Sequence, residues 1–305
     1  MTKRGGRDRS ARAEPVDLSG RSVIVTGASP GSLGFATARV LATWGANVVI
    51  STRAKAEDAA REIAPGVRGR TLDLTDASSV AAFARWYRGE HERLDVLVNN
   101  AGVHLDLRST WTEPHLTPDG YEIHWRTNYL GTMQLTHLLL PLLVTTAEQQ
   151  GEARVVNVVS KLHVRGRNEF LFAPLEPYNS WNAYGQSKLA LIHASNEIAR
   201  RYEDMRAYSV HPGSVYSHIA DKGLDGHRVL AAARKALAPI ERRMLLSPEQ
   251  GAQTTVHCAT APVLESGYYR ACELAPASGE THDRDVSRRL WDETEQWATG
   301  LMGGY

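Results

Sequence analysis

From residue 22 onward, short β-branched and apolar runs alternate with longer stretches whose apolar positions recur at helical spacing. The runs at 22–26, 47–51, 70–74, 94–99, 154–160 and 207–211 predict strands, and those at 34–44, 55–63, 77–88, 119–143 and 181–202 predict helices. Strands that are apolar along most of their length are covered on both faces, and a strand–helix alternation supplies that cover on either side of a parallel sheet. The expected fold class is α/β, a single doubly wound domain with a mostly parallel sheet. Residues 267–271 predict a last strand. Residues 283–301 predict a helix that lays Leu290, Trp291 and Trp297 over the core. Pro174, Pro177 and neighbouring Asn and Ser residues predict a loop ahead of the helix at 181–202, and 215–246 reads as an insertion of short helices on the substrate side.

A glycine-rich turn separates the first strand from the first helix: Thr26-Gly27-Ala28-Ser29-Pro30-Gly31-Ser32-Leu33-Gly34. In that position glycines let the backbone turn sharply and approach a diphosphate, whose charge is stabilised by the helix N-terminus. The turn therefore points to a Rossmann-type dinucleotide site, with an ordinary tight turn cornered at Pro30-Gly31 as the plain alternative. No Gly-Lys-Ser/Thr follows, which excludes a P-loop hydrolase. At the end of the second strand the acid that would grip a ribose 2′-hydroxyl is missing. Ser51-Thr52-Arg53 stands there. The planar fork of Arg53 suits a 2′-phosphate, which favours NADP(H) over NAD(H), although an arginine capping a strand end in solvent would look the same.

Tyr184 and Lys188 are four residues apart in Tyr184-Gly185-Gln186-Ser187-Lys188, one helical turn on one face, and Ser160 ends an apolar run upstream. A phenol must lose about three units of pKa, about 4 kcal/mol, to act as a base near neutrality. A cation about 4 Å away at an effective dielectric near 20 supplies roughly that. Alone, such a pair is common on exposed helix faces.

Composition narrows the partners. The 305 residues carry 35 basic against 34 acidic side chains, so no global charge points to nucleic acid or to an anionic membrane. Lys3, Arg4, Arg7, Arg9 and Arg12 lie in a segment without apolar periodicity, so 1–17 is expected to be a disordered basic tail and 18–305 the folded domain. No apolar h-region follows those charges, and the run at 138–144 is short and broken by Pro141; no stable membrane insertion is expected. Two cysteines, Cys258 and Cys272, form no disulfide framework or ligand cluster and suit a cytoplasmic location. His211 with His218, and His115 with His124, lack metal-ligand spacing, so no metal is expected.

Taken in order, Thr26-Gly27 with its loop, Leu72-Asp73-Leu74, Asn99-Asn100-Ala101-Gly102, Asn128, Ser160, Tyr184 to Lys188 and His211-Pro212-Gly213 resemble the short-chain dehydrogenase/reductase family over most of the chain. Within it the long interval from Ser160 to Tyr184 and the tail with Arg288-Arg289-Leu290-Trp291 resemble the retinol-dehydrogenase-like group. The resemblance implies Tyr184 as acid/base, Lys188 as its pKa depressor and ribose ligand, Ser160 as carbonyl orienter and Asn128 as holder of a water near Lys188. It implies a cofactor cleft of Gly27, Ser29, Gly31, Ser32, Leu33, Arg53, Asp73, Leu74, Asn100, Ala101, Gly102, Pro212, Gly213 and Val215. Position after the strands places His163, Tyr178 and Trp181 with Ser160 and Tyr184 in the substrate pocket, although Tyr178 and Trp181 serve equally as loop anchors. Typical members space the loop glycines at zero, four and six; Gly27, Gly31 and Gly34 fall at zero, four and seven, so the loop is a residue longer. Enoyl reductases also lengthen the loop but separate Tyr and Lys by six residues, against three here.

The function expected is an NADP(H)-dependent oxidoreductase, a carbonyl reductase or alcohol dehydrogenase interconverting a ketone or aldehyde with an alcohol on a lipophilic small molecule. A cofactor-retaining epimerase or dehydratase and a non-catalytic NADP-binding regulator are the alternatives. A homo-oligomer is left open.

Overall fold

A computed structural model describes residues 11–215 and 245–302. Among them run eight strands in one sheet, in the order β3-β2-β1-β4-β5-β6-β7-β8. The strands are β1 (Ser22–Thr26), β2 (Asn47–Thr52), β3 (Arg68–Thr71), β4 (Val96–Asn99), β5 (Ala153–Val158), β6 (Met205–His211), β7 (Gly267–Arg270) and β8 (Glu273–Leu274). All neighbours pair in parallel except β7 with β8. The strand order reverses at β1, which lies between β2 and β4. That reversal opens a crevice beyond the strands' C-terminal ends, where a ligand fits in open α/β sheets.

Alternation along the strands sorts the core into two faces. Ile24, Leu97, Val155 and Ala207 face one apolar cluster. Val23, Val25, Val98, Val156 and Val210 face the other. The first face is covered by α3 (Ala77–Glu90), α4 (Gly131–Gln150), α5 (Ser180–Arg201) and α7 (Arg284–Met302); the second by α1 (Leu33–Thr43), α2 (Ala56–Ile63) and α6 (Pro248–Thr260). Helix α5 is buried nearly all round because α7 packs on its outer side, with Leu290 and Trp291 buried as the pattern predicts. Each fully buried side chain of that size contributes on the order of 2–3 kcal/mol.

Several boundaries differ from the sequence expectation, each for a local reason. Strand β3 spans Arg68–Thr71 rather than 70–74, so Leu72-Asp73-Leu74 lies past the strand end, where Thr75 donates twice to Asp73 Oδ1. The helix expected at 119–143 begins later, because Thr117 to Tyr121 closes a turn with Thr117 N–H donating to the Tyr121 carbonyl. It also runs on to Gln150, through Pro141. Its first part is a π-helix, Trp125–Leu130, in which Gly131 N–H donates to the Arg126 carbonyl, five residues back. Together Trp125–Gln150 are long and apolar enough to cross a bilayer, but two-thirds of that apolar window, 67%, is buried inside the fold. Strand β8 is new: Ala271 (φ 53°) and Cys272 (φ 61°) make a two-residue reversal of the type I′ kind.

The chain already packs N-terminal to the expected boundary at 18, since Ala13 is buried against the second cluster and its N–H donates to Gln253 Oε1. Residues 1–10 and 216–244, including most of the expected insertion, lie outside the described residues. The insertion's base is paired, Val215 with Leu246.

Candidate active site

The glycine turn is built by contacts at two of its three glycines. Gly27 (φ 69°) takes a left-handed conformation, and a Cβ there would lie 2.7 Å from Ala101 Cα. A Cβ on Gly34 would meet Asn100 Nδ2 at 2.4 Å and the Gly27 carbonyl at 2.8 Å. Asn100 Nδ2 donates to the Thr26 and Gly27 carbonyls, while Thr26 Oγ1 accepts from the Asn100 and Ala101 amides. The β1 and β4 ends are thus tied into one wall. Within the loop the Ser32 amide donates to the Ser29 carbonyl. Ser32 then caps α1, accepting from Phe35 N–H and donating to the Gly27 carbonyl. Its hydroxyl is therefore committed to the turn. On the opposite wall Leu33, Val215 and the Pro212 carbonyl crowd Gly251, and Gly213 (φ 85°) turns the chain after β6.

Arg53 is exposed past β2, and its guanidinium makes no hydrogen bond or ion pair among the described residues. Leu74 is placed differently from expectation. Its side chain lies in the core and its carbonyl accepts from Arg126 Nη1 at 2.6 Å.

The π-helix carries Asn128 into the interior, where its amide spans Val103: Oδ1 accepts from Val103 N–H at 2.7 Å and Nδ2 donates to the Val103 carbonyl at 3.0 Å and to Ser187 Oγ at 3.1 Å. Asn128 Oδ1 and Lys188 Nζ both crowd Gly102, lying 3.2 and 3.3 Å from where its Cβ would be. Lys188 is buried and donates to the Val158 carbonyl at 3.0 Å.

Ser160 follows β5 and caps a 3₁₀ turn, Lys161–Arg165, accepting from Leu162 N–H. Gly185, beside Tyr184, lets this turn press on α5; a Cβ there would lie 2.5 Å from the Leu162 carbonyl. Ser160 and Tyr184 are brought together by that approach, close enough for the serine hydroxyl to stabilise the phenolate.

Burial opposes the lowering of the phenol pKa that the Tyr–Lys spacing suggests. Burial pushes the Tyr184 phenol up to about 12, against the Ser160 hydrogen bond, and burial brings Lys188 down to about 8. The ammonium sits 5.6 Å from the phenol ring centroid with its hydrogen bond aimed at a carbonyl, so desolvation of both groups outweighs their attraction. Tyr184 is a protonated phenol near neutrality. In the free protein it is therefore poised as a proton donor.

Two expected pocket residues are otherwise occupied. His163 is buried with Nδ1 against the Ser160 carbonyl at 2.8 Å and Nε2 accepting from Ser278 N–H at 3.1 Å, so both ring nitrogens fasten the backbone. Tyr178 donates its hydroxyl to Glu122 Oε1. Trp181 donates Nε1 to the Leu107 carbonyl at 3.3 Å but keeps its ring beside the site, edge-on to His104. His104 stacks on Tyr184 itself, with centroids 4.6 Å apart and planes 14° from parallel. Sequence reading passed over it because a lone histidine after Asn-Asn-Ala-Gly-Val carries no motif.

The family model for short chain dehydrogenases matches residues 21–226. The chain belongs to that family. As a short-chain dehydrogenase it is 37% identical to retinol dehydrogenase 11 of Homo sapiens over 290 residues, 91% of this chain and 85% of the relative. It is also 37% identical to retinol dehydrogenase 12 of Mus musculus, over 91% of this chain and 86% of that one. Among solved structures it resembles an uncharacterized protein from Mycobacterium paratuberculosis, with a TM-score of 0.68, 32% identity and 97% and 98% of the two chains covered. It also resembles Pseudomonas aeruginosa RhlG in an active-site complex with NADP, with a TM-score of 0.62, 27% identity and 83% and 94% covered. Short-chain dehydrogenases are oxidoreductases that use nicotinamide cofactors, and the site of this one fits such a group. The buried Lys188 ammonium has three donors and, among the described residues, one protein acceptor, beside a glycine at 102 whose missing Cβ lets Lys188 and Asn128 approach. Among the described residues no three His, Cys, Asp or Glu side chains converge as metal ligands.

Proposed function

We propose that this short-chain dehydrogenase is an NADP(H)-dependent oxidoreductase that interconverts a ketone or aldehyde with an alcohol on a lipophilic small molecule, working as a carbonyl reductase or alcohol dehydrogenase. The observation that carries the reading is the Tyr184 phenol, kept protonated by burial and set beside Ser160 against a wall of rings, His104, His124 and Trp181.

Bound nicotinamide supplies or takes the hydride. The chain's own groups handle the oxygen. The Ser160 hydroxyl donates to the substrate carbonyl oxygen and holds it toward Tyr184, and Tyr184 Oη delivers its proton as negative charge develops there. Two of the three Lys188 donors are left for the hydroxyls of a ribose, while the third stays on the Val158 carbonyl. Lys188 near 8 is mostly cationic at neutrality and favours the phenolate that remains after proton delivery. In the oxidation direction the same atoms act in reverse.

The choice of NADP(H) is supported by Arg53, an uncommitted cation past the end of β2 where an acid would disfavour a 2′-phosphate. The aromatic wall supports an apolar substrate, as do relatives named for retinol. The test is turnover of a panel of lipophilic aldehydes and ketones, followed by NADPH absorbance. We expect NADPH to be preferred over NADH, and Tyr184→Phe to abolish turnover with NADPH affinity nearly intact. A Tyr184→Phe enzyme that keeps most of its activity, or product formation without net NADPH consumption, overturns the assignment.

A further inference from the structure

His104 has no role in the chemistry described so far, yet it is among the most constrained side chains in the site. The backbone around it is pinned on both sides. Val103 is spanned by the Asn128 amide, and Leu105 N–H donates to His124 Nε2 at 3.1 Å. The Asp106 carbonyl accepts from Ser180 Oγ at 2.9 Å, and the Leu107 carbonyl accepts from Trp181 Nε1. Ser180 and Trp181 open α5, the helix that carries Tyr184, so the loop after β4 is stitched to α5 one turn ahead of the catalytic phenol. Between these anchors the His104 ring lies flat on Tyr184, edge-on to Trp181 at 4.6 Å and to His124 at 5.6 Å. Among the described residues its Nε2 is enclosed without a hydrogen-bond partner.

We propose that His104 is a positioning residue for Tyr184: its neutral ring, stacked on the phenol, fixes the plane in which the hydroxyl meets the substrate oxygen. The inference rests on Tyr184 being the proton carrier. The stacked imidazole blocks rotation of the ring about Cβ–Cγ; Oη lies on that axis, so what the stack fixes is the ring plane, in which the phenol O–H prefers to lie. A flat, neutral neighbour also keeps water off one face of Tyr184. His104 stays neutral because burial outweighs its surroundings. Facing it are His124 and Glu122 from the segment leading into the π-helix, Asp106 from its own loop and Arg165 from the turn after Ser160. Among the charges, Asp106 and Glu122 favour protonation and Arg165 opposes it. Glu122 itself accepts from the His124 Nδ1–H, the Tyr178 hydroxyl and the Trp125 amide.

The test compares His104→Phe, which keeps a flat ring, with His104→Leu, which fills similar volume without one, and with Tyr184→Phe, in carbonyl reduction with NADPH. We expect His104→Leu to lose about 10- to 100-fold in kcat, with the KM for NADPH within about 2-fold, as a displaced reacting group does. We expect His104→Phe to recover most of it. In His104→Leu the alkaline limb of the pH–kcat profile should also move to lower pH, because hydration of the phenol brings its pKa from about 12 back toward its ordinary value. A His104→Leu enzyme with wild-type kcat and an unmoved alkaline limb overturns the inference. So does a His104→Phe enzyme as impaired as His104→Leu, since that assigns the effect to the ring nitrogens. If Tyr184→Phe stays active, the reading of the site fails first; if it is inactive while both His104 variants are normal, only the role of His104 fails.

Discussion

Replacing Asn128 by alanine tests whether the π-helix serves the site or merely interrupts a helix. The side chain is fully buried and makes three hydrogen bonds, two of them to the backbone of Val103. Truncation leaves the Val103 N–H and carbonyl without partners in a region that water does not reach. Each stranded backbone group costs about 1–3 kcal/mol, so the expected loss is about 2–5 kcal/mol, reduced if a water enters the vacated space. Urea unfolding measures it as a lower midpoint at unchanged slope. The catalytic consequence should exceed the loss of folded protein. Val103 sits between Gly102, on which Asn128 and Lys188 converge, and His104, which stacks on Tyr184. With Val103 unclamped, both neighbours shift while the fold persists, and kcat at saturating NADPH should fall at least about 10-fold under conditions where the variant is fully folded. Asn128→Asp sharpens the result. An aspartate still accepts from Val103 N–H but cannot donate to the Val103 carbonyl or to Ser187, and it brings a buried carboxylate near Lys188. An Asn128→Ala protein destabilised by less than about 0.5 kcal/mol, with wild-type kcat, would refute the reasoning.

Two further outcomes follow from the geometry. Arg53→Ala should raise the KM for NADPH by about 10- to 100-fold and leave that for NADH unchanged, the loss of one or two charge-assisted hydrogen bonds of about 1.5–3 kcal/mol in total; equal effects on both cofactors would remove the 2′-phosphate from the argument. Acid should destabilise the fold well above the carboxylate range. His104, His193 and His211 are buried, and burial brings each down to about 4. A depressed folded-state pKa means these groups contribute stability that is fully present above pH 6.5 and is lost as pH falls toward 4, about 2 kcal/mol from each by pH 5. Unfolding midpoints that stay level between pH 6.5 and 5 would show that the histidines become hydrated in the native state.

How much of this was legible in the residues varies with the kind of information each feature needs. The doubly wound sheet was readable because β1, β2, β4, β5 and β6 are apolar on both faces and each is bounded by a helical period. The glycine turn was readable because all of its glycines fall in one short segment between β1 and α1, although the Asn100 and Ala101 contacts that require them lie far along the chain. Strand β8 escaped notice because its reversal is made by Ala271 and Cys272, two residues without turn character. The start of the helix carrying Asn128 was displaced because a hydrogen bond between Thr117 and Tyr121 competes with helix there, and helical spacing alone does not register such a bond. His163 and Tyr178 were placed in the pocket by position after a strand. What sequence could not show is the partner that occupies their polar atoms, far along the chain or across the fold, the Ser278 amide for one and Glu122 for the other.

The largest departure concerns the pair that spacing made most suggestive. Four residues on a helix put a phenol and an ammonium on one face, and Coulomb attraction alone then argues for a lowered phenol pKa. Spacing is silent on burial, and burial has the opposite sign for the phenol. In this chain α7 lies over α5, Gly185 draws in the turn after Ser160, and Gly102 closes on Lys188, so the pair is enclosed from three directions by residues distant in sequence. Desolvation then wins, and the phenol keeps its proton while the lysine is brought near 8. That state is loaded for reduction, because a carbonyl oxygen gaining negative charge needs a proton donor in contact with it.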